Sequence, residues 1–166
     1  MIKVFLSHQR ADSADAKKIA DRLRINHQID SYLDVIDDQF GKTGPDLAAY
    51  LRREIGKCSH LLAVTSFSTK DSQWVPWEIG IATEKDYPLA TFAAYTSAVP
   101  EFLAAWPYLR TMEEVDAYAR AAKSSDRTYS LRKATITETA ARRESSSSFF
   151  ELLRKDLNQP ISRAKW

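Results

Sequence analysis

The chain has 166 residues, 44% hydrophobic and 28% charged, which suits one domain of the usual ~100–200 residues and excludes disordered and fibrous classes. Its 24 basic and 22 acidic residues leave a net charge of +2, which calls for neither nucleic acid nor an anionic membrane as partner. A lone cysteine, Cys58, rules out an internal disulfide or a Cys-pair metal framework, and His8, His27 and His60 lack close metal-ligand spacing. Four glycines in the whole chain argue against a Gly-rich nucleotide loop and a turn-rich sandwich or barrel. These features lead us to expect a cytoplasmic protein without metal or cofactor.

Ile2 to Leu6 is a short apolar run rich in branched and aromatic residues, which predicts a buried strand. It starts too early and is too short for a signal peptide. Ala16, Ile19, Ala20 and Leu23 recur at helical spacing, so 14–25 is expected to be a helix capped by Asp12 or Ser13. Ile29 to Ile36 alternates as a second strand, and Asp37 to Pro45 is a polar loop. Asp46 opens a second helix with Leu47, Tyr50, Leu51 and Ile55 on one face. His60 to Thr65 reads as a third strand, Ser66 to Gln73 as a polar loop, and Trp74 to Lys85 as a third helix with Pro76 in its first turn.

Leu89 to Tyr95 is a fourth strand, Tyr108 to Arg110 a short fifth, and Met112 to Ala122 a further helix. The apolar stretch from Tyr87 to Leu109 is broken by Pro88, Pro100 and Pro107 and is not a membrane span. The alternation predicts a parallel α/β fold with helices on both faces, occupying residues 1–123. Residues 124–166 form a polar Ser-containing segment followed by an amphipathic helix, Phe149 to Leu157. That helix either docks on the domain or binds a partner.

In open parallel sheets, ligands bind beyond the carboxyl ends of the strands where strand order reverses. For the order 2-1-3-4-5 that point lies between strands 1 and 3. It nominates Ser7, His8, Gln9 and Arg10 after strand 1, and Ser66 to Trp74 after strand 3, flanked by Asp34 to Pro45. No GxGxxG, GxxxxGK[ST] or GxSxG motif occurs. A receiver-type acidic cluster is also missing, since Ser7-His8 and Thr65-Ser66 stand where it would be. Trp74 and Glu78 are four residues apart and share a helix face. Glu78 is either a dipole-favoured charge near a helix start or a functional carboxylate, and Trp74 either a core aromatic or a ligand platform. His8 is either a ligand contact or, as a lone histidine at a strand end more often is, a structural hydrogen-bonder. Cys58, just before a strand, reads as core.

Four motifs in series now resemble the TIR (Toll/interleukin-1 receptor) domain family, most closely its bacterial NAD hydrolase type. Val4-Phe5-Leu6-Ser7-His8 is similar to the family's first strand. Tyr32-Leu33-Asp34 with Asp37 and Gly41-Lys42 resembles its second strand and BB loop. Ile55, Cys58-Ser59 and Leu61 to Ser66 resemble its third strand, and Ser72-Gln73-Trp74-Val75-Pro76-Trp77-Glu78 its Ser-x-Trp-x-x-x-Glu segment. The resemblance covers residues 1 to about 95 and implies a flavodoxin-like three-layer fold with about five parallel strands.

The resemblance implies Glu78 as catalytic residue. Ser7, His8, Gln9, Arg10, Asp34, Asp37, Gly41, Lys42, Ser66 and Trp74 are implied as substrate-binding residues. The implied activity is cleavage of the nicotinamide–ribose bond of NAD+, a substrate rather than a cofactor. The products would be nicotinamide and ADP-ribose or a cyclic isomer. The implied setting is bacterial anti-phage defence of the Thoeris type, with self-association through TIR–TIR contacts and a partner protein that responds to the nucleotide product. The BB loop lacks the Arg-Pro-Gly pattern of animal signalling receptors. Two alternatives stand beside this reading: a non-catalytic TIR scaffold or effector, and a nucleoside 2-deoxyribosyltransferase-like enzyme.

Overall fold

A computed structural model describes residues 1–33, 44–67, 69, 72–93 and 101–160. Five strands form one parallel sheet: β1 (Lys3–His8), β2 (Asp30–Leu33), β3 (His60–Val64), β4 (Leu89–Phe92) and β5 (Tyr108–Leu109). Their order is β2-β1-β3-β4-β5, as expected of a flavodoxin-like fold. The helices are α1 (Ser13–His27), α2 (Gly44–Gly56), α3 (Trp74–Glu84), α4 (Met112–Arg132) and α5 (Glu138–Asp156).

The inner strands are apolar along their length because both faces of a parallel sheet are covered. Val4, Leu6, Leu62, Val64, Ala90 and Phe92 pack against α1, α4 and α5. Phe5, Leu61, Ala63 and Leu89 face the other way, onto Leu51 and Ile55 of α2 and Val75, Ile79 and Ala82 of α3. Alternation along each strand thus sorts its side chains between two cores.

Several elements differ from expectation; α2, for one, starts at Gly44, two residues inside the expected loop 37–45. β1 runs two residues further than the apolar run and takes Ser7 and His8 into the strand, where they pair with Ala63 and Val64 of β3. Hydrogen bonding to a neighbouring strand, rather than hydrophobicity, decides where a strand stops. α4 continues through Ser124 to Arg132, ten residues past the expected end at Ala122. α5 starts at Glu138, so the Ser-rich stretch is helical. There Ser145 and Ser146 are buried, and the Ser145 hydroxyl donates to the backbone carbonyl of Ser125 on α4 at 2.8 Å. Serine is a poor helix former by itself, and packing between α4 and α5 overrides that preference. The outer ends of the expected strands at 29–36 and 89–95 lie outside the described residues.

Side-chain pairs lock the layers. Arg22 of α1 binds Asp116 of α4 through two nitrogens at 2.7 and 2.9 Å, and His27 Nε2 reaches the same carboxylate at 2.7 Å. The Arg22 hydrogen bonds hold the Asp116 carboxyl well below the usual carboxylate range, with His27 adding to the effect. Thr111 and Glu114 form a capping box at the start of α4. At the sheet edge, the Gln159 side-chain amide accepts from the Tyr108 N–H at 3.2 Å and donates to the Tyr108 carbonyl. An edge strand with open backbone groups invites pairing with another chain, and Gln159 occupies both groups of this residue.

Candidate functional site

The carboxyl ends of β1 and β3 meet at the reversal of strand order, with α3 starting beside them. A groove of about 390 Å³ opens there, lined by His8, Gln9, Arg10, Ala11, Ser72, Gln73 and Trp74. One wall is the 3-10 turn Arg10–Asp12 that follows β1. The other is the first turn of α3, where the Ser72 hydroxyl accepts from the Val75 N–H at 3.2 Å. That bond satisfies one of the donors a helix leaves open at its start.

Arg10 is exposed at the groove, Gln9 is half-buried and His8 is buried. The His8 Nδ1 lies 2.8 Å from the Leu6 carbonyl. A carbonyl only accepts, so Nδ1 carries the proton. Trp74 is half-buried, with the Trp77 ring edge-on at 5.6 Å. This contact fixes the indole while leaving part of it at the groove.

Glu78 sits behind that wall. The buried stripe of α3 is Val75, Glu78, Ile79 and Ala82, an apolar helix face interrupted by one carboxylate. Glu78 is 0% exposed, and its Oε2 accepts a hydrogen bond from the Ser7 hydroxyl. Ser7 is itself wholly buried. In the cross-strand row Ser7, Ala63, Thr91, the small Ala63 leaves room above the sheet for an α3 side chain. Enclosing a carboxylate costs several kcal/mol, on the order of a large share of a domain's stability, unless partners compensate. Such groups concentrate at functional sites.

The remaining expected residues fall elsewhere. Ser66 does not line the groove. Its N–H donates to the Thr69 hydroxyl at 2.9 Å, and Thr69 donates to Asp12 Oδ2 at 3.5 Å, bracing the loop after β3 against the start of α1. Asp34, Asp37, Gly41 and Lys42 lie outside the described residues. So the structure brings His8, Gln9, Arg10 and Trp74 together on one groove, and Ser7 and Glu78 together behind it. Reading the sequence did not pair Ser7 with Glu78. The available signal was a carboxylate on an otherwise apolar helix stripe, opposite a hydroxyl at a strand position.

A cavity of about 160 Å³ at the amino ends of the strands is lined by Cys58, His60, Tyr87, Tyr129 and Arg142 among others. It lies at the opposite end of the sheet from the groove. Burial pushes the Cys58 thiol up to about 11, which suppresses the reactive thiolate. Among the described residues, no cluster of three or more His, Cys, Asp or Glu side chains is placed to hold a metal ion. No helix among them is long and apolar enough to cross a membrane.

A search of curated proteins finds no match to the chain. The family model described as TIR domain matches residues 4–129, from β1 into α4. It therefore spans the sheet from Val4 onward, the groove and Glu78. The strand order 2-1-3-4-5, the site at its reversal and this match over most of the sequence agree, and the chain belongs to the TIR domain family.

Proposed function

We propose that this chain is an NAD+ hydrolase that cleaves the nicotinamide–ribose bond, with Glu78 as its catalytic carboxylate. The observation that carries the reading is a buried carboxylate, Glu78, one helical turn beyond Trp74, which itself lines a groove at the switch point of the sheet. O-glycosidases need an acid to protonate the leaving oxygen. The nicotinamide of NAD+ is a pyridinium and departs neutral without a proton. The remaining demand is charge stabilisation of an oxocarbenium-like ribose, which one fixed carboxylate supplies.

In this reading Trp74 offers its ring to the cationic nicotinamide or to a base. Arg10, at the groove, is the cation for the pyrophosphate. The enclosed state of Glu78 adds a requirement: the wall formed by the β1 turn and the start of α3 must part before ribose reaches the carboxylate. Self-association is the event we assign to that opening. The nucleotide product would then serve as a signal to a responding partner in bacterial anti-phage defence.

The same enclosure favours a second reading, a TIR scaffold that assembles without catalysis. Nicotinamide release from NAD+, measured across protein concentration for the full chain and Glu78→Gln, separates the two. Turnover that rises steeply with concentration and disappears in Glu78→Gln supports the hydrolase. Absence of turnover at every concentration, with self-association intact, supports the scaffold. Chromatography of the products distinguishes linear from cyclised ADP-ribose. Turnover of nucleosides but not of NAD+ would select a deoxyribosyltransferase-like enzyme instead.

A further inference from the structure

We infer that Ser7 is a positioning residue for Glu78 and does not itself contact substrate. The inference rests on the NAD+ hydrolase reading and adds a residue role to it. The two side chains come from sites 71 residues apart, one on β1 and one on α3, and both are fully buried. Alternation along β1 sets the direction of Ser7, two residues after Phe5, which faces α2 and α3. It stands opposite Ala63 on the α3 face, while its neighbour His8 stands opposite Val64 and faces the other core.

The groove is lined by His8 to Ala11, and Ser7 is not among its lining residues. A serine hydroxyl has one proton to donate. Here it goes to Glu78 Oε2, so Ser7 cannot simultaneously donate to a ribose hydroxyl or phosphate. Holding one oxygen fixes the plane of the carboxylate on a side chain with three rotatable torsions. Hydrogen bonding to the charged form of a carboxylate favours that form, so removing the Ser7 hydroxyl is expected to act on the protonation of Glu78 as well as on its orientation.

The test is steady-state NAD+ turnover against pH for the full chain, Ser7→Ala and Ser7→Thr, with thermal unfolding of each as a check on folding. Ser7→Ala should lower kcat about 10- to 100-fold, the equivalent of one hydrogen bond to a charged group. KM should stay within about 2-fold, because uniform substrate binding is untouched. The acidic limb of kcat should move to higher pH. Ser7→Thr keeps the hydroxyl and suits a strand, and should restore the limb. A raised KM with unchanged kcat and unchanged limb would make Ser7 a substrate contact and overturn the inference, as would wild-type kinetics in Ser7→Ala.

If the full chain releases no nicotinamide, the hydrolase reading fails by itself. The Ser7–Glu78 relation is then read from the side-chain carboxyl carbon of Glu78 by NMR titration. A higher midpoint in Ser7→Ala supports it, and an unchanged midpoint overturns it.

Discussion

Phe149 of α5 lies edge-on to Tyr118 of α4, with ring centroids 5.4 Å apart and planes at 83°. Both are fully buried, and Phe149 also meets His60 of β3 edge-on at 5.9 Å. The family match ends at residue 129, so a helix beyond it fills the core above the sheet. Phe149→Ala should therefore destabilise the chain by about 3–5 kcal/mol, as large-to-small core changes do. Urea unfolding measures this. A change under about 1 kcal/mol would mean that α5 is a loosely attached appendage.

His60 gives the fold a pH dependence with a definite sign. Its Nε2 lies 3.1 Å from the Ser125 hydroxyl, which itself donates to the Ala122 carbonyl, so the imidazole donates from Nε2. The Ser59 hydroxyl lies 2.8 Å from Nδ1. Burial, with the N-terminal ammonium adding to it, pushes the imidazole down to about 3. An unfolded histidine titrates near ~6.5. Between those values the unfolded chain binds a proton that the folded chain refuses, so stability falls as pH drops from about 6.5 toward 3. The slope contributed approaches about 1.4 kcal/mol per pH unit. His60→Gln should flatten this limb in denaturant titrations at pH 7, 6, 5 and 4. The separate loss from the depressed Asp116 carboxyl, which begins only below its unfolded value near ~3.9, should remain.

Thr91 of β4 carries a buried hydroxyl with no hydrogen-bond partner among the described residues. An unsatisfied buried polar group costs about 1–3 kcal/mol, and an apolar group of the same shape removes that cost. Thr91→Val should raise the thermal midpoint. An unchanged or lowered midpoint would mean that the hydroxyl is satisfied in solution.

Trp74→Ala should weaken NAD+ cleavage through the nicotinamide or base contact, and Trp74→Phe should retain part of it. A ring–cation contact of about 0.5–2 kcal/mol corresponds to about 2- to 30-fold in kcat/KM. Because Trp77 packs edge-on to Trp74, the unfolding midpoint of each variant is needed beside its kinetics. Equal kcat/KM for all three proteins would remove Trp74 from the site.

Local pattern alone was sufficient for much of this protein. The apolar runs at Val4 to Leu6 and Leu61 to Val64 and the helical spacing of Ala16, Ile19, Ala20 and Leu23 led to a parallel α/β fold, while the strand order and the family came from the resemblance that the series of short motifs carries. Periodicity reports which face of an element is buried, and topology follows from the few ways such faces can be covered. Trp74 at the groove was legible for the same reason, since a position near the start of a helix after β3 must lie at the carboxyl edge of the sheet.

Only the tertiary structure decided the rest. Ser7 and His8 lie beyond the apolar run of β1, and their pairing with Ala63 and Val64 of β3 holds them in the strand, where alternation sends them to opposite faces. The helix from Ser124 to Arg132 and the buried serines of α5 run against intrinsic propensity, and contacts between α4 and α5 override it. The pairing of Ser7 with Glu78 joins residues 71 positions apart. A hydrogen bond at that separation depends on where β1 and α3 are packed, which no local stretch of sequence encodes.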